Sequence, residues 1–258
     1  MPRLSVIIPA YNEAQRLGPT LDQLRDYFAT QSYDAEVLVV DDGSEDGTRA
    51  LAEARKEDLP YLRVIANDRN RGKGYTVKHG IHEATGDILL FFDADASTPI
   101  DQIEKFFPKF DEGVDVVIGS RSLPDSDVQV HQPFYRESMG RIFNVFVQLI
   151  VLRGIIDTQC GFKAFRREAA REIFPRQRLE GFGFDVEVLF LARKLGYQIR
   201  EVPIVWINSP ASRVHAVLDS TRMFTELLLI RLNDLRGLYG DSAPAKNSAT
   251  APKKEMES

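Results

Sequence analysis

The apolar runs in the first 120 residues constrain the fold more than any other feature. Runs such as VLVV and ILLFF lack polar alternation, which is typical of parallel strands covered on both faces. Helical patterns separate these runs, and that order predicts an α/β fold with a right-handed, doubly wound, mostly parallel sheet and flanking helices. The predicted strands are Leu4–Ile8, Glu36–Val40, Leu62–Ala66, Ile88–Phe92 and Val114–Gly119, and the predicted helices are Glu13–Thr30, Asp46–Glu57, Lys73–Ala84 and Ile100–Glu112.

The second half of the chain adds a polar loop, two apolar helices and a tail. Leu123–Pro133 is polar and is predicted to be a mobile loop, whereas Ser138–Arg153 and His215–Leu238 are predicted helices with much apolar surface. Residues 241–258 are rich in Ala, Ser, Pro, Lys and Glu, a composition typical of disorder. We therefore expect one domain over residues 1–240 and a disordered tail.

Composition narrows the choice of partners and compartment. The 258 residues carry a net charge of −5, which does not favour nucleic acid as a partner. The single cysteine allows no internal disulfide and fits a reducing compartment. The N-terminal segment favours a strand over a signal peptide, and no apolar run approaches the roughly 20 residues needed to cross a bilayer. We expect a cytoplasmic protein whose membrane contact is peripheral.

Three polar motifs follow predicted strands directly. Pro9–Glu13, Asp41–Ser44 and Asp93–Ser97 each come where a strand should end, and ligands of such sheets bind beyond the carboxyl ends of the strands. Asp93 and Asp95 offer two hard oxygen donors at one point, which suits Mg²⁺ or Mn²⁺ carrying a diphosphate. The alternative is that these residues only cap the following helix.

Four motifs resemble, in their residues and in their order along the chain, those of the family 2 glycosyltransferases of the GT-A fold. The motifs are VIIPAYNE, VVDDGSEDGT, FFDADAS and DTQCGFKAF. DTQCGFK with a later FDVE is similar to the dolichyl-phosphate glucosyltransferases within that family, from Leu4 to about Gly240. The resemblance implies UDP-glucose as donor, dolichyl or another polyprenyl phosphate as acceptor, and an inverting transfer that gives a β-linked product.

The resemblance also implies roles for individual residues. Ser97 would join Asp93 and Asp95 at the metal, and Asp95, Arg121 and Asp185 would be the catalytic residues. The residues implied at the nucleotide sugar are Pro9, Tyr11, Glu13, Val40, Asp42, Lys73, Asp93, Ala94, Asp95 and Arg213. Those implied at the acceptor phosphate are Arg121, Arg136, Gln159 and Lys163.

A lipid phosphate is already anionic near neutral pH, so the acceptor needs no protein base. Asp185 aligns with the base of relatives that act on hydroxyl groups, and we interpret it as a substrate-positioning residue. Three alternatives stay open: a GDP-mannose-dependent transferase to polyprenyl phosphate, a transferase to a saccharide hydroxyl, and a non-catalytic nucleotide-sugar binding module. The two apolar helices are predicted to lie on the cytoplasmic face of a membrane; packing in a homo-oligomer is the alternative.

Overall fold

The computed structural model describes residues 3–130, 134–207 and 216–240; for 130–139, 141 and 216–222 it gives no side-chain description. Its strands are β1 (Leu4–Ala10), β2 (Ala35–Asp41), β3 (Leu62–Ala66), β4 (Ile88–Phe92), β5 (Val116–Ser120), β6 (Asp127–Val130), β7 (Phe162–Arg166), β8 (Ile199–Pro203) and β9 (Val205–Ile207). A seven-stranded sheet has the order β3-β2-β1-β4-β7-β5-β8, and β6 and β9 form a second, small sheet. Within the large sheet only β7 runs antiparallel to its neighbours, which confirms the predicted mostly parallel α/β fold.

Helices cover both faces of the large sheet. Alternate residues of a strand point to opposite faces, so Ile7 and Phe91 join one apolar core while Val6 and Leu90 join another. The helices are α1 (Leu17–Phe28), α2 (Thr48–Ala54), α3 (Lys73–Glu83), α4 (Phe107–Asp111), α5 (Phe134–Ile150), α6 (Arg167–Ile173), α7 (Phe184–Lys194) and α8 (Ala216–Leu235).

Two predicted elements differ in the structure. The helix expected over Ile100–Glu112 is divided into a 3₁₀ helix (Ile100–Lys105) and α4, because Pro108 fits only the first turn of a helix. The loop expected over Leu123–Pro133 contains β6, which pairs with the distant β9; residues 131–133 lie outside the described chain. The tail 241–258 also lies outside it.

The sheet brings four motif segments to one edge. The parallel strands β1, β2, β4 and β5 end there, and the antiparallel β7 begins there, since Phe92 at the end of β4 is paired with Phe162 at the start of β7. The DTQCG segment, which precedes β7, therefore reaches the same edge as the loop that follows β4.

Helices α5 and α8 pack together and leave apolar side chains exposed. Phe146 and Phe224 meet edge to face with ring centroids 5.0 Å apart. On the outer side Leu149 is 68% exposed and Leu235 is 79% exposed. In the described part of the chain, each helix is too short or too polar to cross a bilayer.

Candidate active site

The loop after β4 presents two carboxylates. Asp93 follows Phe92 directly, and the Asp93 and Asp95 side chains keep 33% and 21% of their surface exposed. The backbone N–H of Ser97 donates to Asp95 Oδ1 over 3.1 Å, and the Thr20 hydroxyl of α1 donates to the Ala94 carbonyl over 2.7 Å. The loop is thus anchored to α1 while both carboxylates face the open edge.

Gly161 fixes where the Asp93 carboxylate can lie. A Cβ atom at position 161 would come within 1.7 Å of Asp93 Oδ2. This close approach follows from the pairing of β4 with β7, which puts the residues just outside the two strands side by side. The DTQCG segment therefore packs directly on the first carboxylate, and any side chain at position 161 would displace that carboxylate.

Basic side chains hold both carboxylates. Lys73, the first residue of α3, lies 2.8 Å from Asp93 Oδ1, and Arg16 Nη1 lies 3.4 Å from Asp95 Oδ2. Burial opposes the charge of Lys73, but the carboxylates of Asp93 and Asp185 outweigh burial and raise the pKa of Lys73. Arg16 also donates through Nε to Glu13 over 2.5 Å. Charges of both signs thus meet at the rim where a metal-bound diphosphate is expected.

Hydrogen bonds link the loops after β1 and β2. The N–H groups of Asn12 and Glu13 donate to the hydroxyls of Ser44 and Thr48 over 2.8 and 2.7 Å. Pro9 and Val40 are register partners on the two strands; Val40 is fully buried, and Tyr11 is 42% exposed. Glu13 is held by Arg16. The segments expected to bind the nucleoside are therefore joined to each other, and each contact with a nucleoside stays a prediction.

Asp42 holds the loop before α3. Its carboxylate accepts hydrogen bonds from Asn67 Nδ2 over 2.7 Å and from the N–H groups of Arg71 and Gly72 over 2.9 and 2.8 Å. Position 72 requires glycine for two reasons: its φ is 99°, and a Cβ there would lie 2.5 Å from the Glu180 carbonyl oxygen. Asp42 thus places Lys73 at the site, and a direct nucleoside contact from Asp42 stays a prediction.

Arg121 forms a two-pronged ion pair with Asp157. Arg121 Nε and Nη2 lie 2.7 and 2.8 Å from the Asp157 oxygens, and the Arg121 N–H donates to the same carboxylate over 3.0 Å. Burial opposes ionisation of Asp157, but the guanidinium outweighs it and holds the pKa of Asp157 below its usual value. Arg121 remains 30% exposed. It stands where β5 ends, at the same edge as Asp93.

Lys163 and Asp185 form a buried pair beneath the site. Lys163 Nζ lies 2.5 Å from Asp185 Oδ1 and donates to the Cys160 carbonyl over 2.5 Å. Burial raises the pKa of Asp185 despite the neighbouring ammonium groups of Lys163 and Lys73. Gln159 contacts Met223 of α8. Contacts of Lys163 and Gln159 with an acceptor phosphate stay predictions.

Three residues at this edge received no role from the sequence. Arg16 stands three residues after Glu13, a spacing that brings two side chains together on a helical turn and could have drawn attention to it. Asp157 binds Arg121, a contact that its position directly before TQCG in the sequence does not indicate. Asp41 is 2% exposed, and its Oδ1 has no hydrogen-bond partner in the described protein, so a donor from outside the chain would satisfy it. Arg213 lies outside the described residues, as does the side chain of Arg136.

Solved structures have the same fold. One is glucosyl-3-phosphoglycerate synthase from Mycobacterium tuberculosis in complex with Mn²⁺, UDP and glucosyl-3-phosphoglycerate. It superposes with a TM-score of 0.68 over 89% of this chain and 80% of that chain, at 21% identity. The expected GT-A architecture is thereby confirmed.

The family assignment comes from sequence. The model of the family described as "Glycosyl transferase family 2" matches residues 5–174. The "Dolichyl-phosphate beta-glucosyltransferase" of Dictyostelium discoideum is 38% identical over 92% of this chain and 76% of its own length. The Mus musculus protein of the same name is 35% identical over 92% of this chain and 77% of its own length. The chain belongs to glycosyltransferase family 2.

Proposed function

We propose that the chain transfers glucose from UDP-glucose to dolichyl phosphate or another polyprenyl phosphate and inverts the anomeric carbon. The relatives named dolichyl-phosphate beta-glucosyltransferase, which match over 92% of the chain, support the reaction. The observation that carries it is the contact between Gly161 and Asp93, because it joins the DTQCG segment typical of such enzymes to the candidate metal ligands. The product would be a β-linked glucosyl phosphate that serves glycan assembly such as protein N-glycosylation.

Asp93 and Asp95 would hold Mg²⁺ or Mn²⁺. Carboxylate oxygens are the ligands these ions prefer, and both side chains face the open edge of the sheet, so the donor set fits. Ser97 is a poorer ligand, and a water molecule can take its place. When bound, the ion neutralises charge on the departing diphosphate.

The donor would lie across the ends of β1, β2 and β4. Pro9, Tyr11 and Glu13 with Val40 and Asp42 would form the nucleoside side of the site. Lys73 would face the diphosphate, because its ammonium already lies at the Asp93 carboxylate. Arg213 would close over the donor.

Charge pairing, not a protein base, would prepare the acceptor. The second pKa of a phosphate monoester is near 6, so the attacking oxygen is anionic at neutral pH. Arg121 would grip this phosphate with the exposed part of its guanidinium while Asp157 fixes its position, and Arg136 and Gln159 would complete the grip. Asp185 is engaged with Lys163 beneath the site, which favours a positioning role over proton abstraction.

The acceptor implies a membrane surface. Exposed leucines on α5 and α8, together with the arginines of these helices, would let the protein lie peripherally on the cytoplasmic face of a membrane. Burial of the same leucines between two copies of the chain is the alternative.

A donor panel tests the proposal. The protein is incubated with polyprenyl phosphate and, in turn, radiolabelled UDP-glucose, UDP-galactose or GDP-mannose, and the lipid phase is extracted. We expect lipid label from UDP-glucose only. Lipid label from GDP-mannose alone would show that GDP-mannose is the donor. No lipid label from any donor, with label transferred once a saccharide is supplied in place of polyprenyl phosphate, would show that the acceptor is a saccharide.

The pH profile separates the phosphate acceptor from a hydroxyl acceptor. In the double variant Asp185→Asn with Lys163→Met the buried charges are removed together, which avoids leaving one of them unpaired. We expect a modest loss of rate and an unchanged low-pH limb near pH ~6, set by the acceptor phosphate. A large loss of rate in which the residual turnover no longer shows that limb would identify Asp185 as a base and favour transfer to a hydroxyl group.

A further inference from the structure

Both carboxylates of the candidate metal site already carry a cationic partner from another part of the chain. Lys73 approaches Asp93 from the start of α3, with 2.8 Å between Nζ and Oδ1. Arg16 approaches Asp95 from the residue before α1, with 3.4 Å between Nη1 and Oδ2. A divalent cation bound to these carboxylates would meet two positive charges at contact distance.

Lys73 has the freedom to change partners. Its side chain is 24% exposed, and its ammonium lies in the field of Asp93, Asp185 and Asp95. The backbone of its loop is fixed independently, because Asp42 binds the N–H groups of Arg71 and Gly72. A lysine side chain is a flexible stem with a point charge, so its head group can move while α3 stays in place.

Arg16 has a second anchor. Its Nε and Nη2 bind the Glu13 carboxylate, and only Nη1 reaches Asp95. The Thr20 hydroxyl ties α1 to the Ala94 carbonyl, so the distance between Arg16 and the carboxylate loop is fixed by the fold. Arg16 can therefore release Asp95 while Glu13 keeps the guanidinium at the edge of the site.

We propose that Lys73 and Arg16 are exchangeable counterions that couple the binding of the divalent cation to the binding of the nucleoside diphosphate. The inference rests on the proposed function for the existence of the cation site. Lys73 and Arg16 compete with the cation for the oxygens of Asp93 and Asp95. The diphosphate offers both side chains new anionic oxygens, so its arrival removes the competition. The cation alone binds weakly, and the cation and the diphosphate strengthen each other.

Linkage sets the size and symmetry of the effect. The factor by which diphosphate tightens cation binding must equal the factor by which the cation tightens diphosphate binding. Couplings of this kind typically lie between about 5-fold and 150-fold. The side chains concerned are between 17% and 33% exposed, so solvent screening places the expected factor near the lower end, at about 10-fold for each counterion.

The test measures Mn²⁺ affinity by electron paramagnetic resonance titration of the whole chain, without nucleotide, with saturating UDP and, in a parallel series, with saturating GDP. Lys73→Met and Arg16→Gln remove one counterion each, and Arg16→Lys keeps the charge. Lys78→Met is the matched control, because Lys78 lies on the same helix but donates to the Gln177 carbonyl over 3.0 Å. Circular dichroism confirms that each variant is folded.

We expect Lys73→Met and Arg16→Gln each to bind Mn²⁺ alone about 10-fold more tightly than the unaltered chain and each to lose about 10-fold of the tightening by UDP, because the other counterion and the direct attraction between cation and diphosphate remain. Lys78→Met should behave as the unaltered chain, and Arg16→Lys should keep part of the coupling. Unchanged Mn²⁺ affinity and unchanged coupling in folded Lys73→Met and Arg16→Gln would overturn the inference. Coupling by GDP and not by UDP would support the inference and correct the proposed donor, whereas no Mn²⁺ binding under any condition would overturn the cation site and the inference together.

Discussion

Replacement of Gly161 by alanine should lower the transfer activity and leave the protein folded. The added Cβ would lie 1.7 Å from Asp93 Oδ2, whereas real contacts of this kind are hardly ever shorter than 3.0 Å, so the carboxylate must move by about 1.3 Å. The Asp93 side chain is 33% exposed and can turn toward solvent, so the sheet need not shift. A displacement of about 1 Å at a reacting centre costs on the order of 10²-fold in rate.

Transfer assays and thermal unfolding of Gly161→Ala measure the two effects. We expect a loss of about 10²-fold in kcat/KM and a fall of Tm by about 2–4 °C, corresponding to roughly 1 kcal/mol. Gly18→Ala is the matched control, because its Cβ would meet its nearest neighbour at an ordinary 3.8 Å. Full turnover of Gly161→Ala would refute the argument that this glycine fixes Asp93. A fall of Tm far larger than this, together with loss of transfer, would show that the fold itself depends on the glycine at position 161.

Three further predictions concern the metal, the pH dependence of stability and the membrane. Asp95→Asn, or removal of divalent cations with EDTA, should leave Tm nearly unchanged and lower turnover by about 10²–10³; unchanged transfer would contradict the metal assignment. Because the folded-state pKa of Asp157 is lowered, the pair with Arg121 contributes stability above the unfolded-state pKa of this carboxyl and loses it as the pH falls through the lower folded-state pKa. Asp157→Asn should therefore lower the free energy of unfolding at pH 7, and its difference from the unaltered chain should shrink as the pH falls below the unfolded-state carboxyl pKa of about 3.9, as denaturant titrations across this range would reveal. Leu149→Glu with Leu235→Glu should abolish liposome flotation while sparing UDP-glucose binding, because both side chains are largely exposed; flotation that persists in the double variant would contradict the proposed membrane face.

The local pattern of the sequence predicts the parallel half of the fold well. Buried strands such as β2 and β4 are continuous apolar runs, and a strand of this kind can be recognised without knowledge of its neighbours. The polar strand β6 could not be recognised in this way, because it is four residues long and its partner β9 lies more than 70 residues away. The helix predicted over Ile100–Glu112 is interrupted after Lys105 because of Pro108, and the apolar spacing of this segment alone does not indicate the interruption.

In the candidate site, too, features set by local sequence could be predicted and features set by tertiary structure could not. Asp93 and Asp95 could be placed at the ligand-binding edge, because their position after a buried strand is a local property. The antiparallel course of β7 and the contact of Gly161 with Asp93 depend on strand order, which one sequence does not encode locally. The salt bridge between Lys73 and Asp93 is likewise a product of tertiary structure.

The structure of the lipid product tests the proposed reaction most directly. UDP-glucose labelled with ¹³C at the anomeric carbon is incubated with polyprenyl phosphate and protein, and the extracted lipid is examined by nuclear magnetic resonance. We expect the labelled carbon to show coupling to phosphorus and the proton coupling of a β-linked glucose. An α-linked glucosyl phosphate would contradict inversion, and a labelled carbon joined to a sugar hydroxyl without coupling to phosphorus would contradict transfer to a lipid phosphate.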